Sequence, residues 1–404
     1  MENVLVVGAG MAGLQTVVQL REQGYTGRLT LLGAEPHAPY DRPPLSKDVL
    51  VGKTDDTAFE ADFAAMDVQT IFGRTATGLR LNKGTEGNGE GGEVDTDAGP
   101  VPFDRLVIAT GSRVVNLPGA DEVPGVHTLR TIDDARALRA ALVPGAHVVV
   151  VGAGWIGAEV ASSAAALGCR VTVVEALHAP LAGAFPDEIG ARFVPWYAEA
   201  GVELLLDARV DRLEPGAVHL TDGRRLPADA IVVGIGVRPE TGWLADSGVD
   251  LDPRGCVVVD DHLHTSAPGV YAVGDCTVFD SARYAARLHV EHWDNALQAP
   301  RTVAANLLGG DAAYDPVPYF WSDQFGRMVQ YVGHHPVGED LVIRGPGEDG
   351  KWTAGWFRGD ALVALLTVAR PRDLAQGRKL VTTGAPVDRA KFADIDVQLK
   401  DAGR

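Results

Sequence analysis

A chain of 404 residues is too long for one ordinary core and points to two or three domains; with 46% hydrophobic and 22% charged residues it is neither disordered nor fibrous. A net charge of −18 repels phosphate backbones and anionic lipid heads, so nucleic acid and membrane surfaces are poor general partners. Cys169, Cys256 and Cys276 form no CxxC or CxxxxC pair, which argues against a disulfide framework, a zinc site or a cysteine-held iron–sulfur centre.

The first residues, MENVLVVGAGMAG, carry an acid and no basic segment, so they do not read as a signal peptide, and no apolar run approaches the roughly 18 residues of a membrane span. The expected location is the cytoplasm. Residues 3–8 (NVLVVG) predict a buried parallel strand. Gly8, Gly10 and Gly13 then punctuate a turn, and Leu14, Val17 and Val18 follow at helical spacing. Residues 28–32 (RLTLL) predict a second strand, ending near Glu35. Residues 82–100, rich in Gly and Glu, predict a solvated loop with no core of its own, a long hairpin connection. Residues 105–111 (RLVIATG) predict another buried strand.

The opening pattern returns at 147–175. HVVVVG runs into Gly152, Gly154 and Gly157; Ile156, Val160, Ala164 and Leu167 share a helical face; CRVTVVE closes the unit at Glu175. Residues 229–239 and 269–275 predict further apolar strands ending in Gly-containing turns. After about 319 the texture changes. Residues 328–332, 341–343, 352–357 and 361–368 predict short strands, and 371–383 a helix at its start. The fold class expected is α/β: two Rossmann-like dinucleotide-binding domains and a C-terminal α+β domain. The expected boundaries are 1–114 with 240–319, 115–239, and 320–404.

Each Gly-rich turn has a physical logic. Its first Gly permits the tight turn, its second lets backbone approach a pyrophosphate, and its third lets helix pack on strand. The helix N-terminus offers free N–H groups and positive dipole to phosphates. Glu35 and Glu175, at the ends of the second strands, can accept from ribose hydroxyls. Two such units suggest one tightly held dinucleotide and one exchangeable one. A carboxylate at Glu175 repels a 2′-phosphate, and Ala176, Leu177 and His178 supply no Arg, so NADH is preferred over NADPH, with His178 the one residue that could greet a phosphate.

VVGAGMAG at 6–13, PYDRPPLSK at 39–47, LVIATGS at 106–112, LRT at 129–131, VGAGWIGAE at 151–159, YAVGDC at 271–276 and FWSDQ at 320–324 resemble the FAD-dependent pyridine-nucleotide reductases. Within these, the chain looks like the NADH-dependent ferredoxin reductases that serve bacterial aromatic-ring dioxygenases and haem mono-oxygenases. PYDRPPLSK and FWSDQ discriminate; the other motifs are widespread. The resemblance implies tightly bound FAD, exchangeable NADH and a two-iron two-sulfur ferredoxin as partner, with the protein a monomer or a dimer. It implies Gly8, Gly10, Ala12 and Gly13 on the FAD pyrophosphate, Glu35 on its ribose, Arg42 and Lys47 beside the flavin, and Ala76 on the adenine side. Ala109, Thr110, Gly111, Arg130 and Gly274 join the same cofactor, Asp275 its ribityl or pyrophosphate region, and Glu291, His292, Trp293 and Trp321 the flavin's surroundings. Gly152, Gly154, Ile156, Gly157, Glu175 and Gly236 fall to NADH, with Glu159 near the nicotinamide, paired to Lys47. Lys47 and Glu159 are thereby the residues closest to catalysis, as tuners.

Plainer readings stand beside these. Arg42 and Lys47 also read as surface cations in a Pro-rich loop, Glu159 as a solvated helix residue, Asp275 as a turn residue, and Trp321 as core. The pairs His262/His264, His289/His292 and His334/His335 show no third ligand, so no metal is expected. Two departures matter. Residues 36–60 hold no cysteine, so disulfide chemistry is disfavoured, and Ala34 stands where the family places Asp. A ferredoxin is often acidic, which requires a local basic patch; Arg301, Arg370, Arg372, Arg378 and Lys379 are the candidates. Competing functions are a rubredoxin reductase or general NADH:acceptor oxidoreductase, and a redox-regulated binding protein of the apoptosis-inducing type.

Overall fold

The computed structural model describes residues 2–82, 91–345 and 350–403. Strand β1 (Asn3–Val7) is an unbroken apolar run because both of its faces are covered. It lies parallel to β2 (Arg28–Leu32) on one side and to β3 (Arg105–Ile108) on the other. Val68–Ile71 and Val270–Ala272 complete a five-stranded parallel sheet, so the chain returns to this sheet long after leaving it. Helix α1 (Met11–Glu22) follows β1 and packs on a late helix.

The second unit repeats the geometry. Strand β4 (His147–Val151), helix α2 (Trp155–Ala166) and strand β5 (Arg170–Val174) form a parallel crossover, and β4 also pairs with Ala230–Val233. Helix α3 (Trp293–Leu307), which packs on α1, closes the first unit. The C-terminal part is antiparallel. Its five-stranded sheet begins with β6 (Tyr319–Gln324) at one edge and carries helix α4 (Pro371–Thr383).

Two expectations change. Part of the 82–100 segment is structured: Gly92–Thr96 pairs antiparallel with Ala76–Leu81 and with Val101–Phe103, and Val94 is fully buried in the first core. Its alternation was hidden by the surrounding Gly and acids; residues 83–90 of that loop lie outside the described residues. The helix expected at the start of 371–383 runs its whole length and stops at Gly384, whose φ of +63° suits a left-handed cap. FWSDQ, quoted only as a motif, lies within β6. No helix among the described residues is long and apolar enough to cross a membrane, and no group of three metal-ligating side chains occurs among them.

Candidate active site

A cavity of about 1340 Å³ runs between the two parallel sheets and reaches β6. That exceeds the usual few hundred to about 1,000 Å³ of a drug-sized pocket, and it suits extended ligands. Both Gly-rich turns open into it. Gly8 has φ +113°, and a Cβ there would lie 2.1 Å from the Ala109 carbonyl oxygen. Gly10 and Gly154 face open space, leaving backbone N–H groups accessible. A Cβ on Gly157 would lie 2.0 Å from the Gly152 oxygen.

Of the expected site residues, all but one line this cavity. The exception is Gly13. Its Cα faces the Gly8 carbonyl, where a Cβ would sit at 1.8 Å, so it lets α1 close on β1 from behind the wall.

At the first turn, Arg42 donates to Glu35 Oε1 at 2.7 Å, and the Tyr40 hydroxyl donates to Oε2 at 2.6 Å. Burial holds the Tyr40 phenol above its usual range, so it remains a donor. Each oxygen of Glu35 keeps lone pairs beyond these two bonds. Arg42 also donates to the Arg130 carbonyl at 2.6 Å, so it is no free surface cation. Asp275 Oδ2 accepts from Ser112 Oγ at 3.1 Å and from Arg130 at 3.3 Å. Burial pushes the Glu291 carboxyl up and the His292 imidazole down to about 4, leaving His292 neutral at pH 7.

Between the two turns Lys47 Nζ meets Glu159 Oε2 at 2.6 Å. Glu159 is only 4% exposed, which removes the solvated-helix reading. Ser46 Oγ reaches Oε2 at 2.5 Å, and Ser322 Oγ reaches Oε1 at 2.6 Å. Neither serine was singled out from the sequence. Both lie inside quoted motifs, but which way they point depends on register.

Trp293 and Trp321 form an edge-to-face pair at 5.7 Å, and Trp321 stacks on Tyr319 at 6.0 Å. Asp41, also unforeseen, accepts the Trp293 indole N–H. At the second turn, Glu175 Oε2 accepts from Ala153 N at 2.6 Å and Oε1 from Leu177 N at 2.9 Å. Ile156, Leu177 and Ile235 give that half apolar walls. Arg209 lines the same end, a cation that no motif foretold, because it sits on a later segment whose Ala208 N–H bonds the Glu175 carbonyl. His178 is held 2.7 Å from Asp187.

A protein-family model described as pyridine nucleotide-disulphide oxidoreductase matches residues 2–299, and one described as reductase C-terminal matches 319–403. A rhodocoxin reductase of Rhodococcus erythropolis is 34% identical over 410 residues, covering 98% of this chain and 93% of its own. The ferredoxin–NAD(+) reductase component of an anthranilate 1,2-dioxygenase system of Burkholderia cepacia is 37% identical, with 98% of each chain covered. The solved covalent putidaredoxin reductase–putidaredoxin complex matches with a TM-score of 0.92 at 31% identity, over 99% of this chain and 98% of that one.

The chain belongs to the pyridine nucleotide-disulphide oxidoreductases. Like its relatives, this oxidoreductase uses FAD and NADH. The cavity fits them. Among the described residues, Arg130 Nε and His292 Nδ1 are buried without a hydrogen-bond partner, and both residues lie in its wall. Orphaned polar atoms of this kind call for ligand or solvent partners.

Burial pushes the Cys276 thiol up to about 11 and the Cys256 thiol up to about 12, so neither forms a thiolate at pH 7. Arg378 lies over the Tyr319 ring at 5.0 Å, beside the aromatic rim. Arg301 stands two turns along α3 from Trp293, about 12 Å on. Arg370 and Arg372 instead line a separate hollow of about 550 Å³ at the start of α4.

Proposed function

We propose that the chain is an NADH-dependent ferredoxin reductase of the cytoplasm, supplying single electrons to a two-iron two-sulfur ferredoxin that feeds an oxygenase. The observation carrying this reading is the cavity itself. It joins two dinucleotide turns through the Lys47–Glu159 pair and ends at an aromatic rim, with no reactive thiol placed between.

FAD, when bound, accepts a hydride from NADH and releases electrons singly. The protein's own residues position and tune. Gly8, Gly10 and Ala12 admit the FAD pyrophosphate, Glu35 takes its ribose, and Asp275 with Arg130 takes the linking region. Glu175, fixed by two backbone N–H groups, takes the NADH ribose and disfavours a 2′-phosphate. Lys47, held by Glu159, would lie beside the flavin, and Trp293 would meet the flavin's edge. On this reading residues 1–114 with 240–319 bind FAD, 115–239 bind NADH, and 320–404 face the acceptor.

The test is an anaerobic titration of the purified yellow protein with NADH, followed by addition of an oxidised two-iron ferredoxin. Bleaching at about one equivalent, then transfer to the ferredoxin, is the expected result. A flavin left oxidised by NADH overturns the donor assignment. Bleaching without transfer to any ferredoxin, but with transfer to rubredoxin, moves the assignment to a rubredoxin reductase.

A further inference from the structure

Three separate stretches of chain meet on one carboxylate. Ser46 and Lys47 come from the turn after Pro43 and Pro44, Glu159 from α2, and Ser322 from the edge strand β6 of the C-terminal sheet. Ser46, Glu159 and Ser322 are 2%, 4% and 1% exposed. A buried carboxylate needs a donor on each oxygen, since an unsatisfied one bears the full desolvation cost. Oε2 has two donors. Among the described residues Oε1 has the Ser322 hydroxyl.

That hydroxyl is itself oriented. Gln324 Nε2 donates to Ser322 Oγ at 3.2 Å, and Gln324 is 1% exposed. An amide NH₂ only donates, so the serine oxygen accepts there and its own hydrogen is left for Glu159. The strand pleat then separates two tasks. Trp321 lies in the cavity wall, and the next residue reaches Glu159.

We propose that Ser322, oriented by Gln324, is a positioning residue for the hydride site, so that the C-terminal sheet contributes directly to the placement of Glu159 and, through it, of Lys47. This rests on the reading of Glu159 as the acid near the nicotinamide. Removing the hydroxyl leaves Oε1 without its donor, and the carboxylate turns away from the geometry that holds Lys47.

Ser322→Ala, Ser322→Thr and Glu159→Gln separate the possibilities. For each, the limiting rate of anaerobic flavin reduction by NADH, the calorimetric affinity of the oxidised protein for NAD⁺, the visible spectrum of the bound flavin and the melting temperature are measured. Ser322→Ala is expected to lower the limiting rate about tenfold and to shift the NAD⁺ affinity and flavin spectrum in the same direction as Glu159→Gln. Ser322→Thr restores all three, and melting changes little. Gln324→Leu, which keeps the serine but removes its orienting donor, gives a smaller shift of the same sign and stands in if Ser322→Ala fails to fold. If Glu159→Gln alters these readouts and Ser322→Ala moves only the melting temperature, Ser322 is a domain tie and the inference is overturned. If Glu159→Gln leaves all of them unchanged, the assignment of Glu159 falls first.

Discussion

The indole N–H of Trp293 donates to Asp41 Oδ1 at 2.8 Å. A residue in the Pro-rich turn thereby sets the ring of a residue at the start of α3. Burial holds the Asp41 carboxyl above the usual carboxylate range, and the indole hydrogen bond pulls the other way. The same turn supplies Tyr40, Arg42, Ser46 and Lys47, so one short segment places much of the first half of the site.

Asp41→Ala is expected to free the Trp293 ring, at about 1–3 kcal/mol for the lost bond to a charged acceptor. Asp41→Asn keeps an acceptor and should behave close to wild type. Near-ultraviolet circular dichroism and the fluorescence of the bound flavin read the ring's position. An Asp41→Ala protein with both signals unchanged would remove Asp41 from this role.

Gly157→Ala forces a methyl to 2.0 Å from the Gly152 carbonyl oxygen. The second turn must open, while the first lies untouched. The expected protein is yellow and holds its flavin, yet its kcat/KM for NADH falls a hundredfold or more, roughly 2.7 kcal/mol. Loss of flavin in this variant would contradict the separation of the two turns.

Glu175→Gln removes the negative charge facing the ribose while keeping an acceptor for one of the two N–H groups. Steady-state kinetics should show NADPH use rising about tenfold, roughly 1.4 kcal/mol of relieved repulsion. Because Arg209 lines the same end, adding Arg209→Ala should cancel most of that gain. An unchanged ratio of NADH to NADPH use in Glu175→Gln would show that another group sets the preference.

Arg301→Glu and Arg378→Glu should each raise the KM for ferredoxin several-fold, more so at low salt, and leave NADH-dependent dye reduction alone. Arg372→Glu, at the start of α4, should leave both unchanged. A ferredoxin KM that responds to Arg372 and ignores Arg378 would move the docking face away from the aromatic rim.

His335 packs 5.3 Å from the Phe185 ring, with its Nδ1 3.0 Å from the Tyr331 hydroxyl. Burial pulls its imidazole down to about 4, as it does for His292. In the unfolded chain these groups titrate near 6.5. Between the two values the unfolded chain binds more protons, so the stability each neutral ring contributes is complete above about 6.5 and is lost as pH falls toward 4. Melting between pH 7 and pH 5 should therefore drop by several degrees. His335→Asn keeps an acceptor near Nδ1 and cannot titrate, so its drop should be smaller; an equal drop would place the acid sensitivity elsewhere.

Much of this protein was legible from one dimension. NVLVVG and HVVVVG read as buried strands because parallel strands covered on both faces carry no polar alternation, and they occupy the centres of their sheets. The Gly-rich turns were legible because backbone geometry at Gly8 and Gly152, both at positive φ, leaves a Cβ no room. Gly92–Thr96 was not legible, since Gly and acids on its flanks resemble a solvated loop, although the strands that pair with it, Ala76–Leu81 and Val101–Phe103, lie on either side of it in the chain.

By itself the sequence determined that the chain carries two glycine-rich strand–turn–helix units, because such a turn is local chemistry of consecutive residues, and that no cysteine pair stands beside the first unit. Tertiary structure alone decided the rest. Which serines reach Glu159, which carboxylate holds Trp293, and that Arg209 lines the cavity with Glu175 all depend on residues far apart in the chain. Such contacts are set by strand register and sheet packing, where a shift of one residue turns a side chain to the opposite face.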